Sequence, residues 1–118
     1  MERRTVLARL DDILDAIVGV ECMVADLDSV AFSQSFVHQR AIERCLEIIS
    51  EASRHIPDQM KSEFPGVPWQ QIKSIGNRLR HEYDRVDPVV VWQTATVSLP
   101  ALRAVIESMI RRAERENL

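Results

Sequence analysis

The sequence contains few of the residues that interrupt helices, and few that build disulfide or metal frameworks. Its 118 residues include only three glycines, five prolines and two cysteines. Because glycine and proline punctuate chains, their scarcity beside abundant Leu, Ile, Ala, Glu and Arg favours helices over sheets. Cys22 and Cys45 form no CxxC pair. This spacing indicates free, buried thiols in a reducing compartment rather than a disulfide or a metal site.

Long apolar runs and a strongly basic charge are also missing. No stretch approaches the about 18 to 20 apolar residues of a membrane span, and the charged start Met1–Arg4 does not open a signal peptide. The net charge of −3 argues against wholesale coating of nucleic acid, but it leaves room for a small RNA site. We therefore expect one cytoplasmic domain, residues 1–118, with no membrane partner and a core of its own.

Apolar residues recur at helical spacing in four long segments. Ser35 and Asp87 are expected N-caps, and Pro68 and Pro88 suit first helical positions, where an N–H would be unpaired anyway. Shorter helices are compatible with 29–34 and 58–64. The predicted long helices cover Arg3–Val24, Ser35–Ile56, Pro68 to a point between His81 and Asp84, and Pro88–Glu114. The fold class is therefore all-α, an up-and-down four-helix bundle with short connections.

Two features of these helices leave room for interpretation. The second helix carries an apolar band wider than one core face requires, so it is either central in the bundle or shared with another subunit. The last helix contains Pro100, which should kink it because proline lacks an N–H and crowds the preceding turn. Its β-branched run Val89–Val91 is compatible with a strand, but no partner strand is predicted, which favours a helix.

The densest run of reactive and charged side chains is Ile75–Asp87, which holds three arginines, a histidine and the only tyrosine. With Pro68-Trp69 ahead of it, the run Ile75-Gly76-Asn77-Arg78-Leu79-Arg80-His81-Glu82-Tyr83-Asp84 resembles the signature of HepT-like proteins of the HEPN superfamily. The segments Leu46–Ala52 and Leu99–Leu102 resemble the second and last helices of the same family. The resemblance thus covers nearly the whole chain.

The resemblance implies a homodimer of helical bundles that acts as a ribonuclease without metal or other cofactor, on an RNA substrate. It implies the toxin half of a toxin–antitoxin pair, whose partner is a minimal nucleotidyltransferase that in some systems adds AMP to a tyrosine. The family motif is Arg, four residues, His, one residue, Tyr. His81 and Tyr83 match it, and Tyr83 becomes the candidate AMP acceptor. Gly76 stands where the family places its arginine, so an inactive helical partner of a nucleotidyltransferase is the alternative.

The chemistry of RNA cleavage without a metal needs an acid, a base and a cation for the charged phosphorane. Histidine ordinarily titrates near neutrality, so His81 is the candidate acid and base unless it only caps a helix end. Arg78 and Asn77 precede His81 by three and four residues and share its helix face, whereas Arg80 lies about 100° away. Arg78 is therefore the candidate phosphate ligand.

Several residues admit a second interpretation. Arg78 could instead form a surface ion pair with Glu82, four residues on. Tyr83 is either an exposed phenol open to modification or a half-buried packing residue. Gly76 costs about 1 kcal/mol relative to alanine inside a helix, so it either lets another backbone approach, such as that of a dimer mate, or marks the loss of catalysis.

Residues outside the motif carry weaker signals. Glu51 matches a family position and could orient the His81 motif. His38 and His55 have no metal-ligand spacing and are expected at the surface. Trp69 and Trp92 are expected to be packing anchors rather than platforms for base stacking.

Overall fold

The computed structural model describes residues 5–117, and the regular structure in that range is entirely helical. The elements are α1 (Val6–Val24), α2 (Ser29–Ser33), α3 (Phe36–Ser53), α4 (Asp58–Ser62), α5 (Trp69–His81), a 3₁₀ turn (Tyr83–Arg85), α6 (Pro88–Gln93), a π-helical turn (Thr94–Ser98) and α7 (Leu99–Arg115). The predicted all-α class is confirmed, and the β-branched start of α6 is helix rather than strand.

Short polar side chains fix where the helices begin. Ser35 accepts a hydrogen bond from the backbone N–H of His38, and Asp87 accepts one from that of Val89, so both predicted N-caps are confirmed. Thr5 caps α1 in the same way, and the predicted start at Arg3 lies outside the described residues. Pro68 precedes α5 as its N-cap rather than opening it, a difference of one residue.

The predicted end of α3 is wrong by three residues. Regular helix stops at Ser53, and the next residues form a turn in which the N–H of Ile56 donates to the carbonyl of Ser53. Ile56 is apolar and only 2% exposed, so it continues the apolar pattern of the helix although it lies beyond the last helical residue. The turn leads the chain toward α4 and leaves Arg54 just beyond the helix.

The four long helical segments pack in the order α5, α3, α1, α7. Core side chains come from all of them: Leu10, Ile13 and Ile17 of α1, Ile42, Leu46 and Ile49 of α3, Leu79 of α5, and Leu102, Ile106 and Met109 of α7. The second long helix is therefore central, as one interpretation of its wide apolar band held. Phe36 and Val37 at its start remain exposed. The outer helices α5 and α7 do not pack closely on each other, which leaves that side of the bundle open.

The irregularity predicted at Pro100 takes the form of the π-helical turn just before it. Proline has no N–H to bond the carbonyl one turn back, so the helix widens there, as π turns do. The hydroxyls of Thr94 and Thr96 donate to the carbonyls of Val90 and Trp92, each at 2.8 Å. Such bonds from a threonine hydroxyl to the carbonyl four residues back often accompany a bend in a helix.

Two sequence expectations need correction. Cys22 is exposed and Cys45 is half-buried, so the expectation of two buried thiols is wrong for Cys22. The continuous helical run Pro88–Arg115 is long and apolar enough, by length and composition alone, to cross a membrane, which the sequence expectation had denied for every stretch. A core helix can pass the same test, and the stripe Leu102, Ile106 and Met109 of this run is buried in the bundle.

Candidate active site

The end of α5 presents the motif histidine to solvent. His81 is the last residue of the helix, and the backbone rather than the imidazole closes it, because the N–H of Glu82 donates to the carbonyl of Arg78 at 2.7 Å. Within residues 5–117 the His81 side chain forms no hydrogen bond or ion pair. Tyr83 follows in the 3₁₀ turn and is 63% exposed, so the half-buried packing interpretation of its ring is wrong.

Arg78 is exposed on the last turns of α5 with its guanidinium unpaired among the described residues. The ion pair with Glu82, the alternative for Arg78, is absent from that part of the chain. Arg78 lines a groove of about 270 Å³ together with Ile75, Val90 and neighbouring residues. A cation without a carboxylate partner, one turn before His81, is free to bind a phosphate.

Asn77 is half-buried and is held by a residue that the sequence did not predict. Its Oδ1 accepts a hydrogen bond from Nη2 of Arg54, which follows the end of α3. This contact leaves the Asn77 amide N–H₂ as the group that could reach a ligand. The two residues are 23 positions apart, so only the packing of α3 on α5 could reveal the pair.

Glu51 lies close to three other basic side chains near the motif. Its carboxylate lies 3.4 Å from Arg80 Nη2, 3.7 Å from Arg54 Nε and 3.5 Å from His55 Nε2. Burial acts to raise the pKa of Glu51, but hydrogen bonds from His55 and Arg80 and the charge of Arg54 together lower that pKa below its usual range. Glu51 therefore contacts the motif through Arg80, and no contact with His81 itself occurs in the described range.

The position that departs from the family motif faces the interior. Gly76 is buried against α3, where an added Cβ would overlap both Oγ and Cβ of Ser50 and would lie 3.7 Å from its Cα. The close approach thus comes from α3 of the same chain and not from a dimer mate. Ser50 Oγ also donates to the carbonyl of Lys73 at 3.2 Å, which ties the two helices together beside the glycine. An arginine at position 76 would require α3 and α5 to separate.

The remaining candidates lie at the periphery of the motif or away from it. The Trp92 ring packs on Phe32 with centroids 5.2 Å apart, as expected of a packing anchor. His38 is half-buried, with its Nδ1 2.6 Å from Ser35 Oγ, and His55 is exposed as expected.

The end of α5 therefore offers an exposed imidazole, an exposed free guanidinium and a half-buried amide oriented by Arg54. A single subunit supplies one His81, whereas cleavage by acid and base together uses two proton-transfer groups.

Comparison with known proteins identifies the family of the chain. The sequence pattern of the family described as "Ribonuclease HepT-like" matches residues 13–109. Two proteins of Methanocaldococcus jannaschii, both named "Putative RNase", are similar to the chain. One is 31% identical over 114 residues, which is 97% of this chain and 98% of the relative, and the other is 34% identical over 107 residues, which is 91% and 98%.

A protein of Thermococcus cleftensis named "Probable ribonuclease HepT" is 34% identical over 100 residues, which is 85% of this chain and 91% of the relative. No solved structure matches the chain significantly. The family match covers most of the chain, and the relatives align over nearly their whole length. The chain therefore belongs to the HepT-like ribonuclease family, as the motif around His81 predicted.

Proposed function

We propose that this protein is a metal-independent ribonuclease that acts as a homodimer, as the toxin of a toxin–antitoxin pair in the cytoplasm. The observation that carries the proposal is the pair His81 and Arg78, both exposed and both without a partner in residues 5–117, at the end of α5 in a chain of this family. An exposed imidazole and guanidinium without a protein partner are available to a substrate.

In the proposed reaction, the 2′-oxygen of the RNA attacks the adjacent phosphorus while one His81 accepts its proton. The bond from phosphorus to the 5′-oxygen then breaks, and a second His81, in its protonated form, gives that oxygen a proton. Arg78 balances the extra negative charge on the phosphorane, and the Asn77 amide donates a hydrogen bond to the same oxygens. Each His81 ends in the protonation state of the other, so exchange with water resets the site.

The dimer supplies the second imidazole, and the open side of the bundle supports a place for it. Between α5 and α7 lies an apolar groove of about 520 Å³. Its apolar lining includes Phe64, Val67, Ile72, Val97, Leu102 and Val105. The smaller groove beside Arg78 shares Ile72 with it, so the two run along the same face of α5. A second copy seated there would cover apolar surface and approach the motif at once.

The antitoxin in this proposal is a minimal nucleotidyltransferase that modifies Tyr83. The phenol oxygen would attack the α-phosphorus of ATP and release pyrophosphate, which leaves AMP on the tyrosine. The exposure of Tyr83 and its lack of a hydrogen bond within the described range support its access to an enzyme. The added phosphate would place negative charge two residues from His81, where it would repel the RNA backbone.

Tyr83 modification is tested by intact mass after incubation with the partner enzyme and ATP. We expect a mass gain in units of AMP in the wild type and none in Tyr83→Phe. Absence of any gain, or a gain that Tyr83→Phe retains, would remove this role from Tyr83.

The second candidate function is an inactive helical partner that binds the nucleotidyltransferase without cutting RNA. The packing of Gly76 against Ser50 favours it, because the family arginine cannot be accommodated there in this arrangement. Under this alternative, His81 and Arg78 belong to a protein-binding surface.

Expression of the protein alone separates the two functions. The wild type should arrest growth and degrade RNA, and His81→Ala should do neither. His55→Ala is the matched control, because His55 is also exposed but lies in the Glu51 cluster rather than on the motif. A wild type that neither arrests growth nor cuts RNA would exclude the ribonuclease and leave the binding function in its place.

A further inference from the structure

A polar pocket lies at the start of α5, at the other end of the helix from His81. It has a volume of about 520 Å³ and is enclosed by the end of α3, α4 and the start of α5. The chain contains only two lysines, Lys61 and Lys73, and both line this pocket. Arg54 lines it as well. Thirteen of the fifteen basic residues are arginines, so the placement of both lysines at one pocket sets it apart from the rest of the surface.

The positive charge of this lysine pocket is poorly neutralised. Arg54 is paired with Glu51, which does not line the pocket. Asp58 is the one carboxylate in the lining beside Lys61 and Lys73, and neither lysine forms an ion pair within residues 5–117. Burial lowers the pKa of Lys61, the charge of Asp58 raises it, and the charge of Lys73 lowers it further, with a net lowering. The two ammonium groups are therefore close enough to repel each other, a repulsion that a bound anion would relieve.

The wall of the lysine pocket also carries an indole. Lys61 Nζ lies 5.6 Å from the ring centroid of Trp69, within the range of a cation–π contact. The Nε1 atom of Trp69 is buried and has no hydrogen-bond partner in the described part of the chain. An aromatic ring beside two cations is the combination found where proteins bind single-stranded nucleic acid.

The lysine pocket is connected to the motif in two ways. Arg54 lines the pocket and also donates to Asn77 of the motif, so one side chain contacts both. Lys73 and His81 lie on the same helix, eight residues and about 12 Å apart along its axis. A single strand that runs along the helix could therefore reach both the pocket and the motif.

We propose that the lysine pocket binds a backbone phosphate of single-stranded RNA and holds the strand along α5, a few nucleotides from the phosphate that is cut. The choice of RNA as the ligand rests on the proposed ribonuclease function. Lys61 and Lys73 are binding residues in this proposal and take no part in the proton transfers. Their contribution is electrostatic and independent of base sequence.

The experiment measures binding of a fluorescent single-stranded RNA of about 12 nucleotides to the full chain carrying His81→Ala, which prevents cleavage. Affinity is followed by anisotropy between about 50 and 200 mM salt. In the same background, Lys61→Gln/Lys73→Gln should weaken binding about tenfold at low salt and reduce the slope of log K against log salt by about 0.7 per lost phosphate contact. Lys61→Arg/Lys73→Arg should restore both the affinity and the salt dependence of binding.

The matched control is Arg111→Gln/Arg115→Gln, which removes two positive charges from the exposed face of α7, away from the pocket. An equal loss of affinity in this control, or no loss in the lysine variant, would overturn the proposal. Displacement of the RNA by equimolar ATP would also overturn it, since the pocket would then be a site for free nucleotides. Should the double lysine variant fail to fold, Lys73→Gln alone, at an exposed position, is used with Arg111→Gln as its control.

Parallel cleavage assays with the His81 wild type separate this proposal from the ribonuclease itself. If the wild type does not cut RNA but binding still depends on the two lysines, the catalytic proposal fails and the pocket stands. If the wild type cuts RNA and the lysine variant binds and cuts equally well, only the pocket assignment fails.

Discussion

Two arginines on the same helix illustrate how a residue becomes available for chemistry. Arg78 and Arg80 are two positions apart on α5, and both are exposed. Arg80 is directed to the carboxylate of Glu51, whereas Arg78 has no partner in residues 5–117. Because α5 packs on α3 through its Gly76 face, the two arginines leave the helix in different directions. The charge of Arg78 is therefore the one that remains for a phosphate.

Replacement of these arginines should have unequal effects. Arg78→Ala should lower the single-turnover rate of RNA cleavage by about 10² to 10³, the usual effect of removing one group that stabilises transition-state charge. Arg80→Ala should change the same rate by less than about tenfold, because it removes an exposed ion pair of small energy. A comparable loss in both variants would show that Arg78 has no special place in the reaction.

Among the helices, the contact between α3 and α5 determines the position of the motif. Gly76 lacks a side chain at the point where Ser50 of α3 approaches, so the two helices come close and the following turn carries Arg78 and His81 into solvent. Glycine inside a helix costs about 1 kcal/mol relative to alanine. The closer packing and the hydrogen bond from Ser50 to the Lys73 carbonyl offset that cost.

The variant Gly76→Ala should lower the free energy of unfolding by about 1 to 3 kcal/mol, because its Cβ overpacks the interface, even though alanine is the better helix former. Urea denaturation measures this effect. Adding Ser50→Gly should remove the overlap and recover part of the loss. Adding Ser50→Ala should not, since the serine Cβ overlaps as well as the Oγ. A Gly76→Ala protein more stable than the wild type would contradict the packing argument.

Local features of these elements were predictable because their causes are local. The caps Ser35 and Asp87 and the disturbance before Pro100 depend on residues within one turn of the chain. The contact of Arg54 with Asn77 and that of Gly76 with Ser50 join α3 to α5 across more than twenty residues. Helical periodicity does not encode contacts between helices. The sequence therefore predicted that His81 lies near the end of a helix, but it did not predict the residues of α3 that pack beside that helix.

At the scale of the whole molecule, the bundle is closed on three sides and open on the fourth. The pairs α5–α3, α3–α1 and α1–α7 are packed, but α5 and α7 leave the apolar groove between them. This accounts for the long apolar character of Pro88–Arg115, because one stripe of that run serves the core while another, including Val97 at 70% exposed, faces the groove. Apolar surface left open beside the proposed site is what a symmetric partner would cover.

The subunit interface is the test of that argument. Val97→Asp introduces a charge into the groove, where burial against a second copy would leave it unpaired, so the dimer should dissociate. Val37→Asp is the matched control, since Val37 is 72% exposed at the start of α3, outside the groove. Sedimentation velocity should show a monomer for Val97→Asp and a dimer for Val37→Asp. Both variants should keep the helical fold of the subunit because both positions are exposed on a single subunit, and loss of the dimer should lower the thermal stability of Val97→Asp alone.

The rate of RNA cleavage should decrease when the dimer dissociates, because a monomer keeps one His81 and loses the second proton-transfer group. If the aspartate also prevents pairing with wild-type chains, a mixture of the two proteins should show only the activity of the wild-type protein that was added. A monomeric Val97→Asp protein that cuts RNA at the wild-type rate would show that one subunit contains both the acid and the base. A dimeric one would place the interface on another face, and a monomeric Val37→Asp protein would then assign it to the exposed Phe36 and Val37 at the start of α3.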